Sequence, residues 1–415
     1  MNKENYKINN YGLLISIFIS IFVIFDNIRS AIMLKLFNVD FIVIARVNYF
    51  FIVCTILFFF TNVRQKKYDM KVLYLLIISI GFSMISLFMK SSTINDYIIV
   101  IGCYMIPILL LGGRLDNYIT SKFFNCALNI LNILTFVVLF LGIIDYLTKG
   151  MTQLFLANIA YFDDRYKELV YMNLNGIYRY FSFFGHPLRN AQLFLIFFIC
   201  NNIFNKYFYT KINSVVISIS TLIGVTISNS KLGVLLALIL ILVCNTNNSK
   251  KKYLYWIVSI IMIIIFVNSN LFYSTVIERL SSSSDLTSGR NEIMSAMLDG
   301  FVSKPGLLGD GLYYSYYVRL ATGSGATSFE YPFIMFAYDL GIISTIFMYG
   351  LITVYPIILL IYHRNFYLCF MYIILLADVN SYNGLTNPGD FMAQFCFITF
   401  LFLNIDKIII ENSKS

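Results

Sequence analysis

The sequence predicts an all-α integral membrane protein of about 12 transmembrane helices, with one large extracytoplasmic loop between helices 9 and 10. Three observations predict it. The 415 residues are 59% hydrophobic and only 12% charged, where an ordinary soluble domain carries about 25% charged residues. The apolar residues fall into long unbroken runs, which describe helices; barrel strands would alternate over segments of about ten residues. Lys and Arg are distributed unequally between alternate connecting segments, as membrane topology requires.

Taken in order, the predicted spans are 11–28, 41–60, 72–90, 97–113, 123–147, 187–204, 212–227, 231–245, 253–270, 331–361, 365–380 and 391–410. Most approach the roughly 20 residues that cross about 30 Å of hydrocarbon. The shortest is 231–245, and 331–361 is long enough for one tilted helix or a broken one. Met1 to Asn10 is polar and runs into the first span with no small-residue cleavage site, so no cleavable leader is expected. With the N-terminus inside, the cytoplasmic segments hold 16 of the 30 Lys and Arg. The short outer segments hold four (Arg29, Lys35, Lys90 and Lys231), and long outer loops do not count in this comparison. Both termini are therefore expected in the cytoplasm, and 1–415 reads as a single polytopic membrane domain. Two outer segments are long: 148–186, rich in interface-favouring Tyr, and 271–330, which carries the candidate site.

Several function classes are excluded. The net charge of +9 is a topology signal and implies no nucleic acid. The seven Cys are scattered through apolar runs without CxxC spacing, and the two His lack HxxxH spacing. No metal site and no cofactor are expected. Lys304-Pro-Gly-Leu-Leu-Gly-Asp-Gly311 is glycine-rich but lacks the GK[ST] ending of a P-loop, so no ATP-driven pump is expected.

Positive charge nonetheless collects on the outer side. Arg46 lies inside the second span near its outer end, Lys231 in the tight turn Ser228-Asn-Ser-Lys231, and Arg189 at the start of the sixth span. Arg279, Arg290 and Arg319 lie in the large loop. Each alone also fits a snorkelling or solvated side chain; together they describe a site for an anionic head group, because the guanidinium fork matches phosphate oxygens. His186 stands where an outer segment enters a span, as a helix-entry residue or a functional one. Glu330 ends the large loop one residue before an apolar run, where a carboxylate is either a hydrated interface group or a desolvated base. Asp339 follows on the same run, facing a cavity or capping its packing.

Four segments resemble the superfamily of O-antigen polymerases and O-antigen ligases (Wzy-type and WaaL-type). Ser228-Asn-Ser-Lys-Leu-Gly-Val-Leu235 is similar to its T-x-S-[RK]-G-x-x-L turn, with Leu232 inserted before Gly233. Thr287-Ser-Gly-Arg290 followed by Pro305-Gly-Leu-Leu-Gly-Asp-Gly311 resembles its SGR…NPxxGxG signature. Phe184-Gly-His-Pro-Leu-Arg-Asn-Ala191 resembles its G-H-P-N span entry, and Glu330 to Gly341 its H-N-x-x-L-x-x-L-x-E-L-G segment. The ligases carry His where this chain has Glu330, which places the resemblance nearer the polymerases. The resemblance covers about residues 180–345.

What it implies is a GT-C-like glycosyltransferase architecture in a bacterial cytoplasmic membrane. The substrate would be an undecaprenyl-pyrophosphate-linked oligosaccharide, polymerised into a surface polysaccharide (O-antigen, capsule or exopolysaccharide) by inverting, metal-independent transfer at the outer face. Arg290 and Lys231 would clamp the departing pyrophosphate, supported by Arg46 and Arg189, with Arg279 and Arg319 as further cations. Glu330 would be the base and His186 a second catalytic candidate, and Tyr313–Tyr317 would stack on sugars or close over the site. Partners would be membrane lipid, with a chain-length regulator and a flippase as candidates. The competing readings are a ligase to another acceptor and a flippase or transporter of the same lipid-linked units.

Overall fold

A computed structural model describes residues 3–37, 46–159, 164–174, 178–247, 290–322 and 329–414, with isolated positions between 257 and 273. Most of the predicted span 253–270, most of 271–289 including Arg279, and the start of the span 41–60 lie outside the described residues. The described residues are all helix, turn and loop, with one isolated bridge between Tyr68 and Gly113. Among them, five helices are long and apolar enough to cross a membrane: Met70–Met89, Ile94–Gly112, Asn117–Leu147, Ile342–Tyr362 and Phe391–Glu411. A sixth is reached only when Asn10–Val23 and Asp26–Met33 are joined across their break. The predicted span 11–28 is thus two helices. Tyr49–Arg64, Ser214–Ile227, Lys231–Cys244 and Phe366–Val379 are shorter apolar helices.

The chain divides into two compact units. One comprises Met1–Asp26, Val39–Ala127 and Thr287–Ser415; the other comprises Asn27–Asn38 and Leu128–Leu286.

In the first unit the Met70–Met89 helix packs along the helix beginning at Ile342. Its contact face is made of serines. Ser79 Oγ donates to the Ser344 carbonyl at 3.0 Å, and the Ser83 and Ser344 hydroxyls lie 2.6 Å apart. Small polar residues let membrane helices approach closely and hydrogen-bond across the seam. The run 331–361, open in sequence to one helix or two, is broken at Gly341 into Pro332–Leu340 and Ile342–Tyr349. A break inside an apolar run exposes backbone groups that must find partners. They find them in the loop segment Pro305–Gly311. Asp310 N and Gly311 N donate to the Tyr338 and Asp339 carbonyls at 2.8 and 3.2 Å. Ile342 N and Ile343 N donate to the Gly306 and Leu307 carbonyls at 3.0 and 3.4 Å. The glycine-rich motif is therefore the cap of a broken helix.

The described part of the large loop has its own small core. Ile293, Val302, Val318, Phe329 and Tyr338 are buried together, with Met297, Tyr314 and Tyr331 against them.

In the second unit Pro187–Tyr207 is the central helix and is buried over nearly its whole length. Ser214–Ile227 and Lys231–Asn247 pack against it. Asn132 and Asn201 exchange side-chain amide hydrogen bonds at 3.2 and 2.7 Å in this buried setting. Asn201→Leu strands the Asn132 amide among apolar neighbours and is expected to cost about 1–2 kcal/mol. Adding Asn132→Leu restores part of it, with a coupling of about 0.6 kcal/mol or more, measured by a double-mutant cycle of detergent denaturation. The segment 148–186 contains helices Met151–Ile159 and Asp164–Leu174, packed through Ala157, Val170 and Phe181.

Candidate functional site

The candidate residues divide between the units, and each group is built separately.

In the second unit, His186, Arg189 and Lys231 belong to two stretches that the fold stitches together. Tyr180 N donates to the Ile227 carbonyl at 3.1 Å, and Asn229 Nδ2 donates to the Tyr178 carbonyl at 3.0 Å. The stretch 178–185 is fastened from other sides as well. Asn190 Nδ2 donates to the Tyr180 carbonyl at 2.6 Å, and Ser182 Oγ to Asn190 Oδ1 at 2.5 Å. Asn27 Nδ2 donates to the Phe184 carbonyl at 2.6 Å.

Beneath it lies Asp145, fully buried at the end of Asn117–Leu147. Its carboxylate accepts from Gln153 N at 2.8 Å, Gln153 Nε2 at 2.5 Å, Tyr178 Oη at 2.5 Å and the Thr152 hydroxyl. Gln153 Oε1 in turn accepts from Phe181 N at 3.0 Å. A buried carboxylate is tolerated when its lone pairs are filled in this way. The knot fixes Tyr178 and Phe181, and so the backbone that carries Arg179.

Arg179 was not among the cations singled out from sequence. Its guanidinium and that of Arg189 both act on His186. The His186 imidazole is pushed down to about 3, first by burial and then by these two guanidiniums. It is neutral at physiological pH, and Nδ1 accepts from Leu188 N at 3.3 Å as the N-cap of Pro187–Tyr207. That bond assigns the ring proton to Nε2, which is left as a donor. Lys231 opens its helix two residues after Asn229. The result is a pair of guanidiniums, Arg179 and Arg189, acting on a neutral histidine donor, with the turn that leads into Lys231 fastened to the same stretch through Asn229. It is suited to an oxyanion.

The depressed His186 value has a sign. The unfolded chain takes up the proton at about its ordinary 6.5 and the folded chain only at about 3. The folded state therefore loses stability as pH falls through this window, and is unaffected above it. His186→Asn keeps a capping oxygen without the titration. It is expected to melt at a temperature less dependent on pH between about 6 and 4 than the parent does.

In the first unit, Arg46 is half-buried and acts on the phenol of Tyr313. Burial pushes that phenol up to about 12, with Arg46 opposing. Tyr313 has φ +68°, a left-handed conformation costly for a bulky side chain, and precedes the short helix Tyr314–Ala321. Asp339 holds it there. The buried Asp339 Oδ1 accepts from Ser315 N at 2.8 Å, capping that helix from another element. This helix-capping role is one that neither sequence reading, cavity-facing or capping its packing, had stated. Arg319 lies in the last turn with its guanidinium 4.9 Å from the centre of the Tyr316 ring.

Glu330 is half-buried, between buried Phe329 and the helix start at Pro332. Arg290 opens helix Arg290–Leu298, and its side chain lies outside the described residues. The second histidine, His363, pairs Nδ1 with Asp406 at 2.5 Å. Asp378, missed in the sequence, is a buried carboxylate near the end of Phe366–Val379 whose Oδ2 has no hydrogen-bond partner among the described residues. Among the described residues no group of three or more His, Cys, Asp and Glu is placed to hold a metal.

No family model, curated protein or solved structure matches the chain.

Proposed function

We propose that the protein joins undecaprenyl-pyrophosphate-linked oligosaccharide units into a surface polysaccharide. The setting is the outer face of a bacterial cytoplasmic membrane, spanned about 12 times with both termini in the cytoplasm. The observation that supports this reading best is the stitching of the Ser228–Lys231 turn to the stretch 178–190. Two segments that resemble separate polymerase motifs are joined there, with cations from both.

In this reaction the acceptor hydroxyl gives its proton to a carboxylate as its oxygen attacks the anomeric carbon. The bond from that carbon to the pyrophosphate oxygen breaks, and lipid pyrophosphate leaves with the electron pair. Inversion follows from attack opposite the leaving group. Arg179, Arg189 and Lys231 are the proposed binders of the pyrophosphate, with charge accumulating on the leaving oxygen where fixed cations stabilise it most. His186 Nε2 donates to the same group. Glu330 is the proposed base, and Arg290 and Arg46 are further proposed cations.

Binding tests the pyrophosphate assignment apart from turnover. Undecaprenyl pyrophosphate is titrated into purified protein in nanodiscs, with undecaprenol as reference. Lys231→Ala and Arg189→Ala are each expected to weaken binding of the pyrophosphate lipid about tenfold, through loss of one charge-assisted contact of roughly 1.5 kcal/mol. Binding of undecaprenol is expected to stay the same. Equal affinity of parent and variants for the pyrophosphate lipid contradicts the assignment.

A further inference from the structure

We infer that the described part of the large outer loop lies on the lipid surface, with its apolar tips in the outer leaflet at the level of the head groups. Phe301 is 81% exposed and Leu307 67% exposed, and Leu298 and Leu308 are exposed with them. These side chains point away from the loop's own core, where their neighbour Val302 is buried.

The backbone around them is held at one end of each of two spans. Leu307 accepts from Ile343 N, at the start of Ile342–Tyr362. Asp310 pairs with Lys90 at 2.7 Å, in the turn that ends Met70–Met89. Tyr338 Oη donates to the Ser303 carbonyl at 2.6 Å, which ties the Phe301 stretch to Pro332–Leu340.

The apolar tips therefore continue a surface that the spans already present to lipid. Phe88 is 76% exposed and Ile94 79% exposed on either side of the Lys90 turn, and Met89 is exposed between them. On the other span Ile346, Val354 and Ile358 face outward. Large apolar side chains exposed together are costly in water. A lipid boundary accounts for them without a second protein. The charges fit as well: Lys90, Lys304 and Asp299 flank the apolar tips, an interfacial pattern of apolar body and polar rim. A loop lying flat in this way holds the cap of the broken helix, and the Tyr314–Ala321 helix that Asp339 anchors, at head-group depth. The inference is independent of the glycosyl-transfer reading.

Tryptophan placement tests it. The chain has a single Trp, so Trp256→Phe gives a dark background for Phe301→Trp and, separately, Leu307→Trp. Each is reconstituted in phosphatidylcholine and phosphatidylglycerol vesicles, with or without bromines on the upper acyl chain. Bromolipid is expected to quench both residues about twofold while iodide in the water quenches them little, as for side chains at the acyl boundary. Strong iodide quenching without bromolipid quenching overturns the inference and puts the loop in water. Quenching by neither overturns it too, and assigns the patch to a protein contact. With Trp256 kept, the difference between variant and parent emission carries the same reading.

Discussion

Gly341→Ala and Gly309→Ala are each expected to remove most of the folded protein. Gly341 has φ +92°, and a Cβ there would meet Gly309 N and the Leu307 carbonyl oxygen at 2.6 Å. A Cβ on Gly309 would lie 2.4 Å from the Asp339 carbonyl oxygen and 2.5 Å from Gly341 N. All four contacts are backbone, which cannot swing aside as a side-chain end does. Either substitution must separate the loop segment from the helix break and leave the amides of Ile342 and Ile343 without acceptors in an apolar setting. The expected cost is about 3 kcal/mol or more. Gly350→Ala is the control, because a Cβ at Gly350 meets nothing within 4 Å; its expected effect is within about 1 kcal/mol. The monodisperse fraction after extraction and the melting temperature check both. Equal behaviour of the three variants would refute the cap.

Asp145→Ala is the second large effect. It leaves two side-chain donors, one backbone amide and the Tyr178 hydroxyl facing an empty site. At about 1–3 kcal/mol for each buried group left unsatisfied, partly relieved by entering water, a loss of about 3–5 kcal/mol is expected. Asp145→Asn keeps the shape and one accepting oxygen, but turns an amide donor toward donors, so a smaller loss is expected. The effect should be local first. Hydrogen exchange at 178–186 is expected to rise in Asp145→Asn before the melting temperature of the whole protein falls far. Affinity for the pyrophosphate lipid should fall with it, since Arg179 rides on this backbone. Unchanged exchange at 178–186 would show that Asp145 does not hold the stretch.

The long unbroken helices were legible, because apolar length sets them. The run at 72–90 became Met70–Met89, and 123–147 became part of Asn117–Leu147. A break somewhere in 331–361 was one of the two readings its length allowed, but its position at Gly341 was not legible. One Gly in an apolar run is tolerated in a helix, and the cause of this break is a partner segment about 30 residues upstream. The sequence contained both halves as motifs but not the hydrogen bonds that join them. Asp145 was legible by a rule applied to Arg46 and not to it: an ionisable residue within an apolar run invites a search for its partners. Asp378 carries the same signal. Arg179 had a weaker one, a lone Arg between two Tyr in a polar connecting segment, and only the contact of 178–190 with the Lys231 turn sets it apart. His186 was legible by position, while its protonation depends on burial and on two guanidiniums that the sequence does not place.

The most direct test of the proposed chemistry is a gel of lipid-linked glycans. Purified protein in lipid is incubated with the undecaprenyl-pyrophosphate-linked repeat unit of its own host, without ATP and with a chelator present. A ladder of regularly spaced products is expected, reduced at least about a hundredfold in Glu330→Gln, the scale of losing a general base, and similarly in Lys231→Ala. A single unextended band from folded parent protein, under conditions where the repeat unit is bound, would contradict polymerisation.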